Sequence, residues 1–234
     1  MTIVSPEALR AELRSLAEPG IRAQHLRVLS PTDDELLGVR VPLLRGLARA
    51  YRDLGTGAVD ALLRSSVHEE RFAGLLVLAE QVRTARGADR RALVDFYLAR
   101  TGCVDNWDLV DGSAHVVLGP WLVDGPPDGP QVLDRLAASS RLWDRRIAVI
   151  ATLALIREGC FEPTFHLALT LRQDREPLIH KALGWMLREI GRRDEPLVVA
   201  FLDRHLAGLP RVTVRHAAER LSPAARARFV RSSR

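Results

Sequence analysis

A cation set just ahead of an apolar run recurs along this 234-residue chain at nearly even spacing. Glu70-Arg71-Phe72-Ala73, Arg145-Arg146-Ile147-Ala148, His180-Lys181-Ala182-Leu183 and Val214-Arg215-His216-Ala217 place the cations at 71, 146, 181 and 215, in steps of 75, 35 and 34 residues. Steps of roughly 34 to 40 residues are the period of stacked helix pairs. The long first step is about two such periods, so one repeat lacks its cation. That repeat falls near residue 108, where the chain reads Asn106-Trp107-Asp108-Leu109-Val110-Asp111. A row of cations broken by a Trp/Asp pair has the form of a polyanion track with a chemical site in it.

Helix punctuation is dense and strand punctuation nearly absent. Ser5-Pro6-Glu7 reads as an N-cap, a proline in the first turn and an acid beside the helix dipole. Val41-Pro42 opens another helix. Leu75 to Val82, Ile147 to Ile156 and Leu183 to Ile190 lie in apolar segments too long for single strands. Asp89 to Ala99, Gln131 to Ala138 and Pro196 to Leu206 fill the slots between as second helices. Asp124-Gly125-Pro126-Pro127-Asp128-Gly129-Pro130 is the one strong breaker cluster, read as a turn between pairs, with a domain boundary as the alternative. The expectation is an all-α curved solenoid of about six antiparallel helix pairs, forming one domain over 1–234.

Composition narrows the class. At 47% hydrophobic and 27% charged the chain is ordinary for a globular protein. It has no apolar stretch near the ~20 residues of a membrane span and no signal-like start. Two cysteines, Cys103 and Cys160, make no disulfide framework or metal motif. We therefore expect a cytoplasmic protein with no metal or cofactor, and a monomer. Residues 141–234 hold 18 Lys and Arg against 10 Asp and Glu, whereas the rest hold 16 against 19. A basic half calls for an anionic partner. All 34 basic residues except Lys181 are arginine, which suits phosphate recognition but also follows from GC-rich codon usage.

On a helix Trp107, Asp111 and His115 share a face. Two readings fit Asp111: a helix cap or partner of a neighbouring arginine with Trp107 in the core, or a reactive acid. His115 fits a polar core or surface position as well as a catalytic one. Trp185 and Arg188 stand three apart, and Gly184 before them costs about 1 kcal/mol in mid-helix, pointing to close approach by another helix or a ligand. Trp143 reads as packing. Arg145-Arg146 reads as a solvated charged end or as a phosphate clamp.

Five stretches carry a family resemblance. They are Gly38-Val39-Arg40-Val41-Pro42, His68-Glu69-Glu70-Arg71, Asn106 to Asp111, Leu142-Trp143-Asp144-Arg145-Arg146-Ile147-Ala148, and Ile179-His180-Lys181-Ala182-Leu183-Gly184-Trp185-Met186-Leu187-Arg188-Glu189. In sequence, order and separation, from about residue 20 onward, the chain resembles the AlkD-type DNA alkylation repair glycosylases. The resemblance implies a HEAT-like repeat fold whose concave face holds duplex DNA containing alkylated purines. It places the catalytic acid at Asp111, two sugar-contacting tryptophans at Trp107 and Trp185, and a phosphate-gripping arginine at Arg146. With the repeat pattern, it puts Arg71, Arg145, Lys181, Arg188 and Arg215 on the DNA.

The implied reaction is hydrolysis of the N-glycosidic bond of N3- or N7-alkylated purines. Such a base is already cationic and leaves neutral, so one carboxylate suffices where sugar hydrolases pair two. The resemblance also implies that the base is not rotated into a pocket, unlike the usual glycosylase, and no Schiff-base lyase step is expected. Two other readings remain: a non-catalytic nucleic-acid-binding repeat, and a protein scaffold.

Overall fold

The computed structural model describes residues 5–231, and among them the chain is all-helical, with fourteen α-helices and three short 3-10 turns. The only strand-like feature among the described residues is one isolated parallel bridge between Glu35 and Val67. Among the described residues the backbone packs as two compact units, divided between Trp121 and Leu122.

The first unit holds α1 (Pro6–Ser15), α2 (Pro19–Val28), α3 (Val41–Ala50), α4 (Thr56–Leu63), α5 (His68–Thr84), α6 (Gly87–Leu98), a 3-10 turn at Thr101–Cys103 and most of α7 (Trp107–Val123). Ser5 caps α1 by accepting from Ala8 N at 3.2 Å, with Pro6 in the first turn, as its sequence foretells. Helix α5 is the axis of this unit. Every residue from His68 to Leu78 is buried, and α1, α3, α4 and α6 all pack on it. Leu75, Val77 and Leu78 are fully enclosed, each contributing about 1.5–3 kcal/mol of burial free energy. Helix α2 is the opposite case, with no buried residue and with Leu26 and Val28 exposed.

The second unit holds α8 (Gly129–Ala137), α9 (Leu142–Arg157), α10 (Glu162–Thr170), α11 (Pro177–Gly191), α12 (Glu195–His205), α13 (Arg211–Ala217) and α14 (Pro223–Arg231), with 3-10 turns at Leu206–Gly208 and Ala218–Arg220. Prolines stand in the first turn of α8, α10, α11 and α12, where the missing N–H is an orphan donor anyway. Helices α9 and α11 pack on each other, and α13 packs on α11. That last contact explains Gly184. A Cβ there would lie 2.6 Å from the His216 Cβ and 2.7 Å from the Thr213 carbonyl oxygen, so the close approach is by a helix.

Candidate functional site

Asn106 builds the start of α7. Its fully buried side chain accepts from Trp107 N at 2.9 Å and Ser30 N at 3.2 Å, and donates to Ser30 O at 3.1 Å. The indole N–H of Trp107 donates to Val28 O at 3.1 Å, so the end of α2 holds the half-buried ring in place. Asp111 follows one turn later, half-buried and inside the helix, which removes the helix-cap reading. Next to it, Gly112 lets α7 press against α5, since a Cβ there would sit 2.5 Å from the Phe72 ring. His115 lies a further turn along the same face, also half-buried.

Helix starts reveal a stricter register than the raw cation spacing. Arg71 is the fourth residue of α5, while Asp111, Arg146, Lys181 and Arg215 are each the fifth residue of α7, α9, α11 and α13. The missing cation therefore maps to 111 rather than 108, and the 3-10 turn Thr101–Cys103 lies in the longer stretch that precedes it. Asp111 occupies the position that a cation holds in three sibling helices, and Arg71 stands one residue earlier in the fourth.

Those cations are not equivalent. Lys181 and Arg215 are exposed. Arg146 is 5% exposed, and its Nη1 donates to Leu178 O at 2.6 Å, tying α9 to the start of α11. Arg71 is 7% exposed and bonds Asp34 as well as Asp105, the latter at 2.8 Å. Its predicted neighbour in function, Arg145, grips Asp174 bidentately at 2.6 and 3.1 Å and donates to the Ser139 and Ser140 carbonyls at 3.0 Å. Burial of Asp174 raises its pKa, but the Arg145 bonds and the Glu176 amide outweigh that and leave it lowered. Arg188 pairs with Glu219, which also takes His216 Nδ1 at 2.8 Å. There too burial is outweighed by Arg188 and His216, and the Glu219 pKa is lowered. Trp185 is half-buried, with its Nε1 donating to Glu189 at 3.2 Å. Arg71, Arg145 and Arg188 thus have carboxylate partners inside their own unit, a use that residue spacing does not reveal.

Sequence reasoning singled out the run His68-Glu69-Glu70-Arg71 only for its family resemblance and its cation, and not as a buried cluster. The first turn of α5 carries four consecutive buried ionisable residues, which between them hold three segments around the helix. His68 Nδ1 meets Asp34 at 3.2 Å and its Nε2 meets Asp108 at 2.8 Å. Glu69 accepts from the backbone N–H groups of Leu37, Gly38 and Val39 at 2.9, 2.8 and 3.4 Å. Gly38 is required there, because its φ is +85° and a Cβ would overlap the backbone of Arg22 and Glu18. Glu70 receives Arg10 at 2.9 Å and Arg14 at 3.3 Å from α1. The available signal was the run His68-Glu69-Glu70-Arg71 ahead of a wholly apolar stretch, since charges in that position are enclosed once α5 becomes central.

Among the described residues no group of three His, Cys, Asp or Glu is arranged to hold a metal ion. A cavity of about 560 Å³ opens between α8 and α10, lined by residues such as Leu133, Leu155 and Leu167, and includes none of the predicted site residues.

Residues 9–221 match the family of DNA alkylation repair enzymes. Two solved structures share the fold. One, described as a predicted DNA alkylation repair enzyme from Enterococcus faecalis, is 16% identical with a TM-score of 0.70, over 88% of this chain and 97% of that one. The other, smu.31 from Streptococcus mutans UA159, is 15% identical with a TM-score of 0.56, over 78% and 93%. At such identities these two speak to the fold alone. No curated protein sequence matches the chain.

Proposed function

The chain belongs to the family of DNA alkylation repair enzymes, and from that premise we propose that it is a DNA glycosylase hydrolysing the N-glycosidic bond of cationic N3- and N7-alkylpurines in duplex DNA, without base flipping. The observation that carries this reading is the register of Asp111. An acid one turn after Trp107, where three sibling helices carry cations, is out of place on a surface meant only for phosphates.

In this reading positive charge builds on the deoxyribose as the bond to the purine breaks. An ionised Asp111 beside that sugar stabilises the charge and orients the attacking water. At about 4 Å and an effective dielectric of about 20 the attraction is roughly 4 kcal/mol, on the order of a thousandfold in rate. Trp107, its indole N–H tied to Val28 O, presents a ring face to the developing cation and excludes bulk water. Trp185 takes the same role on the sugar, and Arg146, steadied by Leu178 O, grips the adjoining phosphate. Exposed Lys181 and Arg215 supply further phosphate contacts. Arg71, Arg145 and Arg188 each support the fold of their own unit through their carboxylate partners. No cofactor is needed, because the leaving base carries its own charge.

The test is base release from methylated duplex DNA, measured as free 7-methylguanine and 3-methyladenine against a no-protein control. The reading expects both bases to be freed without strand cleavage, together with a bulky N3 adduct that no pocket has to fit. Salt-sensitive binding with no base released would instead favour a non-catalytic nucleic-acid module, the alternative that the basic half supports.

A further inference from the structure

We propose that His68 and Arg71 are positioning residues for the Trp107–Asp111 turn, His68 acting as a doubly donating clamp between Asp34 and Asp108. The proposal rests on the reading above only in taking Asp111 as the reacting acid. The clamp itself is argued from the geometry of the first unit.

Both ring nitrogens of His68 face carboxylate oxygens, Nδ1 to Asp34 at 3.2 Å and Nε2 to Asp108 at 2.8 Å. Neutral imidazole has one N–H and one lone pair, so it satisfies one of these contacts and opposes the other. Only the imidazolium donates to both. The side chain is 2% exposed, so water offers no substitute partner. Asp34 belongs to the segment before α3 and Asp108 to the first turn of α7, so the charged ring binds two segments that no backbone ladder joins. Arg71 does the same from the end of that first turn of α5, bonding Asp34 on one side and Asp105 on the other. Asp105 and Asp108 bracket Asn106 and Trp107, and Asp111 is one turn beyond. The two cations therefore fix the segment from which the proposed site is built.

The charges facing His68 are Asp34, Asp108 and, on its own helix, Glu69, with Asp105 also feeling its charge. Glu69 is already committed to three backbone amides and lies 3.4 Å from His25 Nδ1. Three aspartates thus share two cations. Burial opposes the charge on His68, but Asp108, Asp34 and Glu69 outweigh it and its pKa is raised. The group whose folded pKa is raised contributes fully below the ordinary histidine value, and its contribution is lost as pH climbs through the folded value. Once the proton leaves, one of Asp34 and Asp108 faces a lone pair, neither is balanced by the ring's charge, and the start of α7 loosens.

The test combines a pH profile with a readout independent of turnover. In the wild type, amide hydrogen exchange over residues 105–111, corrected for its intrinsic pH dependence, should quicken on the alkaline side. Single-turnover base release should fall over the same range, with little change in DNA affinity. His68→Gln, which cannot charge, should flatten both profiles and lower the release rate about tenfold at neutral pH. Asp108→Asn should move the wild-type midpoint down toward ordinary histidine. Arg71→Gln should slow release while leaving the salt dependence of binding unchanged, whereas loss of a phosphate contact lowers the slope by about 1. An alkaline fall that persists unchanged in His68→Gln, or a lower salt slope in Arg71→Gln, overturns the proposal. A wild type that releases no base at any pH sinks the glycosylase reading, and the exchange profile then decides the clamp alone.

Discussion

An arginine that spends its fork on a carboxylate inside the fold cannot grip a phosphate without breaking that bond. Arg145 illustrates the cost. Its guanidinium serves Asp174 and two carbonyls, joining the start of α9 to the segment before it and to the segment after α10. Removing it strands a carboxylate that is 5% exposed. Breaking a buried pair this way costs about 3 kcal/mol, so Arg145→Ala should lower the chemical-denaturation midpoint markedly. Arg215, exposed on α13, should behave in the reverse sense. Arg215→Ala is expected to leave stability within about 0.5 kcal/mol while weakening DNA binding and reducing its salt slope. Equal stability losses in the two variants would erase the distinction drawn between structural and phosphate-facing cations.

At the scale of the element, period and punctuation made most helices readable. The runs at 75–82, 147–156 and 183–190 fall inside α5, α9 and α11, and the breaker cluster at 124–130 separates α7 from α8. The short α4 carries no comparable punctuation, α10 is too short for a long apolar run despite the proline in its first turn, and α2 buries no face that a periodic pattern could report. Gly184 was legible as a sign of close approach, and its partner is α13. Because the overlap there is with backbone as well as with a Cβ, Gly184→Ala should cost about 1–3 kcal/mol despite its higher helix propensity. A thermal melt showing stabilisation would mean that α11 and α13 stand farther apart than described. The hub in α5 stayed hidden for a different reason. Charges look solvated in a linear sequence, and only the enclosure of the helix start shows that Glu69 and Glu70 must be paired inside.

For the whole molecule, the sequence exposed the repeat and the one acid that interrupts it, while the division of labour among the cations emerged only from their partners. Spacing cannot separate Arg71, bonded to Asp34 and Asp105, from Arg215, which is exposed in nearly the same register. Nor could it show that the end of α2 orients Trp107, since Val28 lies 79 residues away in the chain. What the account requires of the molecule is that affinity come from cations and chemistry from one carboxylate. The direct measurement is single-turnover release of 7-methylguanine from duplex DNA by wild type and Asp111→Asn, with the affinity of both proteins for the same duplex measured alongside. The account predicts a loss of about a thousandfold in rate with affinity held or slightly improved, because a negative charge near phosphates has been removed. A variant that releases base at the wild-type rate would contradict it.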